Sequence, residues 1–249
     1  MRFTDQVAVV TGAGRNIGEA VAWKLAEEGA RVAVVDLDPG RGQRVSEAIG
    51  RAHPGQAMAV VCDVSDRAQV QEMVDTVLRR WGRVDVLVNN AAITDRETIL
   101  TLSEEEWDRV IDVSLKSVFL VSQAVARHMV ERGGGGCIIN LASTSGHRGR
   151  SNATAYTAAK AGILNLTRTM AIQLAPWKIR VNSVTPNRVG SPVGMDEVRT
   201  DKDVQNLVGR AGVPMDIAQA VAFLASGEAA FITAADLLVD GGALSVTEP

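Results

Sequence analysis

Short apolar runs and helical patterns take turns along the whole chain, and this alternation limits the possible fold more than any other feature. Gln6 to Thr11, Arg31 to Asp36, Ala57 to Val61, Val84 to Asn89, Gly136 to Leu141, Ile179 to Val184 and Asp236 to Val239 read as strands. Between them, Ile17 to Glu28, Gly40 to Arg51, Asp66 to Arg80, Ser103 to Glu131, Thr154 to Ala175 and Pro214 to Ser226 carry helical periodicity. The strand runs are continuously apolar and β-branched, as burial on both faces requires, so the pattern predicts an α/β fold with a doubly wound parallel sheet and helices on both faces. No linker, repeat or low-complexity block divides the 249 residues, and the expectation is one domain over 1–249. Residues 187–211, rich in charge and glycine, have the least regular pattern and are read as a substrate lid.

The charge balance narrows the function classes. A net charge of −3 with no basic stripe argues against a nucleic-acid partner. No apolar run approaches the ~20 residues of a membrane span, and the N-terminus runs into the first strand without a signal-peptide pattern, so the expected compartment is the cytoplasm. Cys62 and Cys137 lack ligand spacing and are too few for a disulfide framework, and His53, His128 and His147 are scattered, so no metal site is expected.

The first strand-to-helix turn is Thr11-Gly12-Ala13-Gly14-Arg15-Asn16-Ile17-Gly18. Glycines there let the backbone approach a pyrophosphate, and the helix N-terminus favours its negative charge, which points to a Rossmann-like dinucleotide site. Asp36 ends the second strand, where a carboxylate accepts hydrogen bonds from the ribose hydroxyls and repels a 2′-phosphate. That favours NAD over NADP. Arg15 argues weakly the other way, and Leu37, where an NADP site would place a base, returns the balance to NAD.

Further along, Tyr156, the only tyrosine, stands four residues before Lys160 in a helical segment. Positions i and i+4 share a face, and a neighbouring cation favours the phenolate, so the pair suits a general base. Ser143, at the end of the fifth strand, offers a hydroxyl to the same substrate oxygen.

Together these stretches resemble the short-chain dehydrogenase/reductases. The likeness spans Val7 to Gly242 and rests on the glycine turn, Cys62-Asp63-Val64, Asn89-Asn90-Ala91-Ala92, Ser143, Tyr156 with Lys160, Arg180-Val181-Asn182-Ser183-Val184-Thr185-Pro186 and Val239-Asp240-Gly241-Gly242, in that order. The resemblance implies an oxidoreductase that interconverts a secondary alcohol and a ketone with a nicotinamide cofactor, and it distributes the roles. Tyr156 is the general acid/base, Ser143 orients the substrate oxygen, and Lys160 holds the nicotinamide ribose. Asp63 and Val64 hold the adenine, Asn90 and Ala91 contact the ribose, and Pro186, Val189 and Ser191 meet the carboxamide. The same resemblance implies a homotetramer paired through the helices 103–131 and 154–175, where Ala158 and Ala161 offer small outer residues.

Four positions depart from the family pattern. Asn16 stands where the first turn has glycine, Asn187 and Ala234 replace glycines further on, and Ser114 replaces a catalytic asparagine that helps hold a water in a proton relay. The pocket loops carry Thr94, Ser145, His147 and Asn187 among polar and basic neighbours, which suits a small polar substrate. Two alternatives stay open: a 3-oxoacyl-acyl-carrier-protein reductase of the same family, and a nucleotide-binding scaffold without turnover.

Overall fold

The computed structural model describes residues 1–190, 193 and 205–246. Seven parallel strands form one sheet in the order β3-β2-β1-β4-β5-β6-β7, comprising β1 (Val7–Thr11), β2 (Arg31–Asp36), β3 (Ala57–Val61), β4 (Val86–Asn89), β5 (Gly136–Leu141), β6 (Ile179–Pro186) and β7 (Asp236–Val239). Every strand expected from the sequence is present.

The two-sided burial is visible within β1 itself. Ala8 and Val10 pack into a core with α1 (Asn16–Glu27), α2 (Pro39–Ala52) and α7 (Pro214–Ala225). Val7 and Val9 turn the other way, into a core with α3 (Arg67–Trp81), α5 (Ser117–Arg132) and α6 (Thr154–Leu174). Period-two side chains with both faces covered leave no solvent-facing position from Val7 to Val10. α3 begins after Asp66, whose carboxylate accepts from Ala68 N at 2.7 Å and Gln69 N at 3.0 Å and so caps the helix.

The chain leaves β1 toward β2 on one side and later returns to β4 on the other, so β1 and β4 lie side by side and the crevice at their carboxyl ends is the switch point where ligands bind in such sheets. A buried polar chain ties this centre to the helices behind it. Asn89 Nδ2 donates to Ser122 Oγ at 2.9 Å and Asn140 Oδ1 at 2.8 Å, and Asn140 Nδ2 donates to Thr167 Oγ1 at 2.9 Å. Buried and hydrogen-bonded along its length, it fixes α5 and α6 against the sheet.

The single helix expected over 103–131 is in fact interrupted. α4 (Glu104–Ile111) and α5 are joined by a wider π turn over Asp112–Lys116. Its cause is local: Ser117 Oγ donates back to Val113 O at 2.6 Å, while Ser114 Oγ leaves the helix to bond the main chain of Ile93.

Candidate active site

The crevice opens into a cleft of about 1300 Å³ that runs from the glycine turn to the loops after β4, β5 and β6. Its first half is built largely of main chain. Gly12 has φ +61°, and a Cβ there would lie 2.9 Å from Ala91 Cα; a Cβ on Gly18 would lie 2.1 Å from Gly12 O. Asn90 Nδ2 donates to Thr11 O at 2.9 Å and Gly12 O at 3.0 Å, bracing the turn from β4. Arg15, at the N-cap of α1, makes no side-chain cap bond, and the positive end of the helix faces the cleft, where it favours an anion. Asn16 accepts φ +53°, the left-handed conformation that asparagine tolerates, so the missing glycine costs the turn little.

Asp36 closes this half. Its Oδ2 accepts from Gly14 N at 2.8 Å and its Oδ1 from Asp38 N at 3.0 Å. Arg15, Ile17, Leu37, Asp63, Val64 and Ala91 line the same walls. Asp63 Oδ1 is held by Ser65, through N at 2.9 Å and Oγ at 2.6 Å, which aims the carboxylate. A nucleotide with two phosphates and two sugars fits this donor set.

The second half is built of side chains from distant segments. Tyr156 and Lys160 are 5% and 3% exposed on α6, which starts abruptly at Ala153 with φ +64° and no cap of its own. The cap comes from another loop: Asp95 Oδ1 accepts from Tyr156 N at 3.0 Å, and Glu97 O accepts from Ala153 N at 3.0 Å. Sequence reading misses this role of Asp95, because nothing local signals a partner 61 residues away.

Ser143 leads into a 3-10 turn, its Oγ accepting from Ser145 N at 3.1 Å, and its hydroxyl faces the same stretch of cleft as the phenol of Tyr156 and favours its anion. Burial pushes that phenol up from its ordinary value, against the smaller pulls of Ser143 and Arg150. Burial likewise brings Lys160 down to about 8. The lysine is therefore not what lowers the phenol; its Nζ lies 5.6 Å from the ring centroid and donates to Leu141 O at 2.6 Å. Both charged forms are disfavoured alone, and the pair is poised to exchange a proton with a third group.

Thr94, Ser145, Pro186, Asn187 and Val189 line the cleft as expected. His147 does not. Its Nε2 lies 2.9 Å from Asp236 Oδ2, among Ser183 and Thr185, which ties the loop after β5 to the edge strand. Ser114 is fully buried and does not reach the cleft. Its hydroxyl accepts from Ile93 N at 3.0 Å and donates to Ile93 O at 2.8 Å, so it acts through the loop that carries Thr94 and Asp95. Ser191 lies outside the described residues.

Comparison with known proteins agrees with this geometry. A family model described as Enoyl-(Acyl carrier protein) reductase matches residues 12–243. The chain is 39% identical to the 3-oxoacyl-(acyl-carrier-protein) reductase FabG of Thermotoga maritima, over 97% of this chain and 99% of that one. It is 38% identical to the meso-2,3-butanediol dehydrogenase of Serratia marcescens, over 98% and 96%. A crystal structure of a short-chain type dehydrogenase/reductase from Mycobacterium marinum superposes with a TM-score of 0.89 at 34% identity, covering 97% of this chain and 96% of that one. With the glycine turn, the buried tyrosine and lysine and the serine assembled around one cleft, the chain belongs to the short-chain dehydrogenase/reductase family and is a nicotinamide-dependent oxidoreductase acting on the CH–OH groups of alcohols and their ketones.

Proposed function

We propose that this protein interconverts a small polar secondary alcohol and its ketone with NAD, and that Tyr156 moves the proton. The observation that carries the reading is the placement of Tyr156, together with Ser143 and Lys160, in the cleft that the glycine turn opens. A bound nicotinamide supplies the two-electron chemistry. Gly12, Asn16, Ile17 and Gly18 would take the phosphates, Asp36 the adenosine ribose, Asp63 and Val64 the adenine, and Pro186 and Val189 the carboxamide end, with Ser191 beside them. Asn90 and Ala91 shape the floor beneath the ribose.

In the oxidising direction Tyr156 Oη accepts the alcohol proton while Ser143 Oγ holds the same oxygen in place. In the reducing direction the phenol returns the proton to the carbonyl oxygen. Lys160, brought down to about 8 by burial, would hold the nicotinamide ribose from the same helix. Because burial raises the phenol, its anion is scarce at neutral pH and grows with alkalinity. Oxidation should therefore speed up as pH rises and reduction should not.

The decisive measurement is dinucleotide reduction over a panel of secondary alcohols by the parent and by Tyr156→Phe. The parent should turn over, and the variant should lose roughly a thousandfold or more of kcat, as loss of a general acid/base entails. Activity that survives in the variant removes Tyr156 from the mechanism.

Three further assignments belong to the same proposal. One domain carries the site, with residues 187–211 as its cover; the described ends of that segment support this, Val189 bridging Gly212 and Leu207 N donating to Gly241 O. A homotetramer is supported by exposed apolar residues on the two helices, Phe119 on α5 at 42% and Ile172 on α6 at 75%, and by the exposure of Ala158 and Ala161 on α6. A cytoplasmic location is supported by two buried free thiols, Cys62 and Cys137, pushed up to about 12 and about 11 by burial. No helix among the described residues is long and apolar enough to cross a membrane.

A further inference from the structure

The chain as a whole is acidic, with a net charge of −3, yet the wall of the cleft beyond Tyr156 is basic. Among the described residues, Arg96, Arg109, Arg148, Arg150 and Arg188 line it with one carboxylate, Asp95, whose Oδ1 is taken up by Tyr156 N. Such a local reversal of sign focuses an attractive field for anions on the reacting end of the cleft. Arg109 does not contribute a full charge there, because Glu106 holds its guanidinium through two contacts of 2.8 Å.

Arg150 is different. Among the described residues no carboxylate lies within ion-pair distance of it, and its guanidinium donates instead to Ser145 Oγ at 3.4 Å. Ser145 in turn donates its N–H to Ser143 Oγ at 3.1 Å, so a cation without a counter-ion stands one residue from the hydroxyl that orients the substrate oxygen. Arg150 is also near enough to Tyr156 to favour its phenolate. A planar guanidinium presents paired donors that match a carboxylate edge to edge, which a neutral alcohol cannot use.

We infer that Arg150 is a specificity-determining residue that binds a carboxylate carried by the substrate a few bonds from the reacting carbon, so that the substrate class is a small hydroxy acid and its oxo acid. This rests on the dehydrogenase reading above and deepens it. The carboxylate supplies the counter-ion that the fold withholds from Arg150, and it orients the carbinol toward Tyr156 and Ser143. Arg148 and Arg188 add to the attracting field at longer range.

The test uses the full-length enzyme with its dinucleotide and measures kcat/KM on lactate and 3-hydroxybutanoate, on the methyl ester of each, and on 3-hydroxybutanoyl-CoA, in the parent, Arg150→Lys and Arg150→Met. The parent should favour an acid over its ester, and Arg150→Met should lower the acid-to-ester ratio by roughly 30-fold, the value of a hydrogen bond to a charged group. Arg150→Lys should fall between, because it keeps the charge and loses the fork. An unchanged thermal midpoint keeps a folding defect from imitating that result. A parent that prefers the esters, or a ratio indifferent to Arg150→Met, overturns the carboxylate while leaving the dehydrogenase standing. Preference for the CoA thioester does the same and assigns the basic wall to the phosphates of an acyl carrier. Failure of acid, ester and thioester alike, or turnover that persists in Tyr156→Phe, overturns both this inference and the reading beneath it.

Discussion

The two halves of the cleft are held together by different physics. At the dinucleotide end the glycine turn, the start of α1 and the end of β4 touch through main chain, and the gaps are narrower than a methyl group. At the substrate end the loops after β4, β5 and β6 are joined by side-chain bonds: Ser114 to Ile93, Asp95 to Tyr156, Thr144 Oγ1 to Asn187 Oδ1 at 3.1 Å, His147 to Asp236. The first half therefore leaves almost no room for an added atom at Gly12 and Gly18, while position 16 of the same turn does take a side chain. The second tolerates added atoms but depends on which polar groups are present. A fold of this kind keeps its cofactor while its substrate changes.

The sharpest way to break that contrast is to add one methyl group. In Gly18→Ala the new Cβ would stand 2.1 Å from Gly12 O and 2.6 Å from Asn90 Nδ2, so backbone must move. We expect about 3 kcal/mol or more of strain and roughly 100-fold weaker dinucleotide binding, read by titration together with thermal unfolding. The same substitution at Gly50, inside α2, would place its Cβ with no atom within 4 Å and should stabilise the protein by about 0.5–1 kcal/mol. Equal effects at the two sites would mean that the turn is not sterically closed.

The contrast also explains what can be read from the sequence. Strand positions, the glycine turn between the first strand and helix, and the placing of Tyr156 and Lys160 on one helix are local: each is a rule about neighbours a few residues apart, and each is seen in the structure. Asp95 and Ser114 escape such rules, because their partners lie 61 and 21 residues away and a helix that begins without a cap gives no sign of who supplies one. The π turn at 112–116 is invisible for the same reason, since its hydrophobic period is nearly that of the helix around it. The loop that carries His147 suggests a place at the substrate; the claim of Asp236, 89 residues on, shows only once β6 and β7 lie side by side. Arg150 is singled out by its bond to Ser145 Oγ, with no carboxylate partner among the described residues, which no spacing in the sequence encodes.

A smaller effect tests the side-chain half. Ser114→Ala removes both bonds to Ile93 and leaves a buried N–H and C=O without that partner. The cost should be about 2 kcal/mol, with kcat falling roughly tenfold as the loop bearing Thr94 and Asp95 loosens. Dinucleotide affinity should stay within a factor of about two, since no contact of the glycine turn changes. A loss of dinucleotide binding equal to the loss of kcat would mean that the halves are not independent, and that the serine supports the whole cleft rather than one wall of it.

The smallest predicted effect falls at Asp36, the carboxylate that closes the dinucleotide half. Its carboxylate has two claims on it: the turn uses Oδ2 to hold Gly14 N and Oδ1 to hold Asp38 N, and the proposed NAD preference uses the same charge to repel a 2′-phosphate. Asp36→Asn separates them. The amide oxygen still accepts from Gly14 N, so stability should change by less than about 1 kcal/mol, but the charge is gone, and Arg15 and Arg41 on the same wall then meet a phosphate without that carboxylate between them. The ratio of NAD to NADP affinity should then fall roughly tenfold, with most of the change being a gain for NADP, the size expected when one like charge is withdrawn from a partly exposed site. If both dinucleotides weaken by the same factor, Asp36 serves the turn alone and the choice of cofactor lies with the arginines.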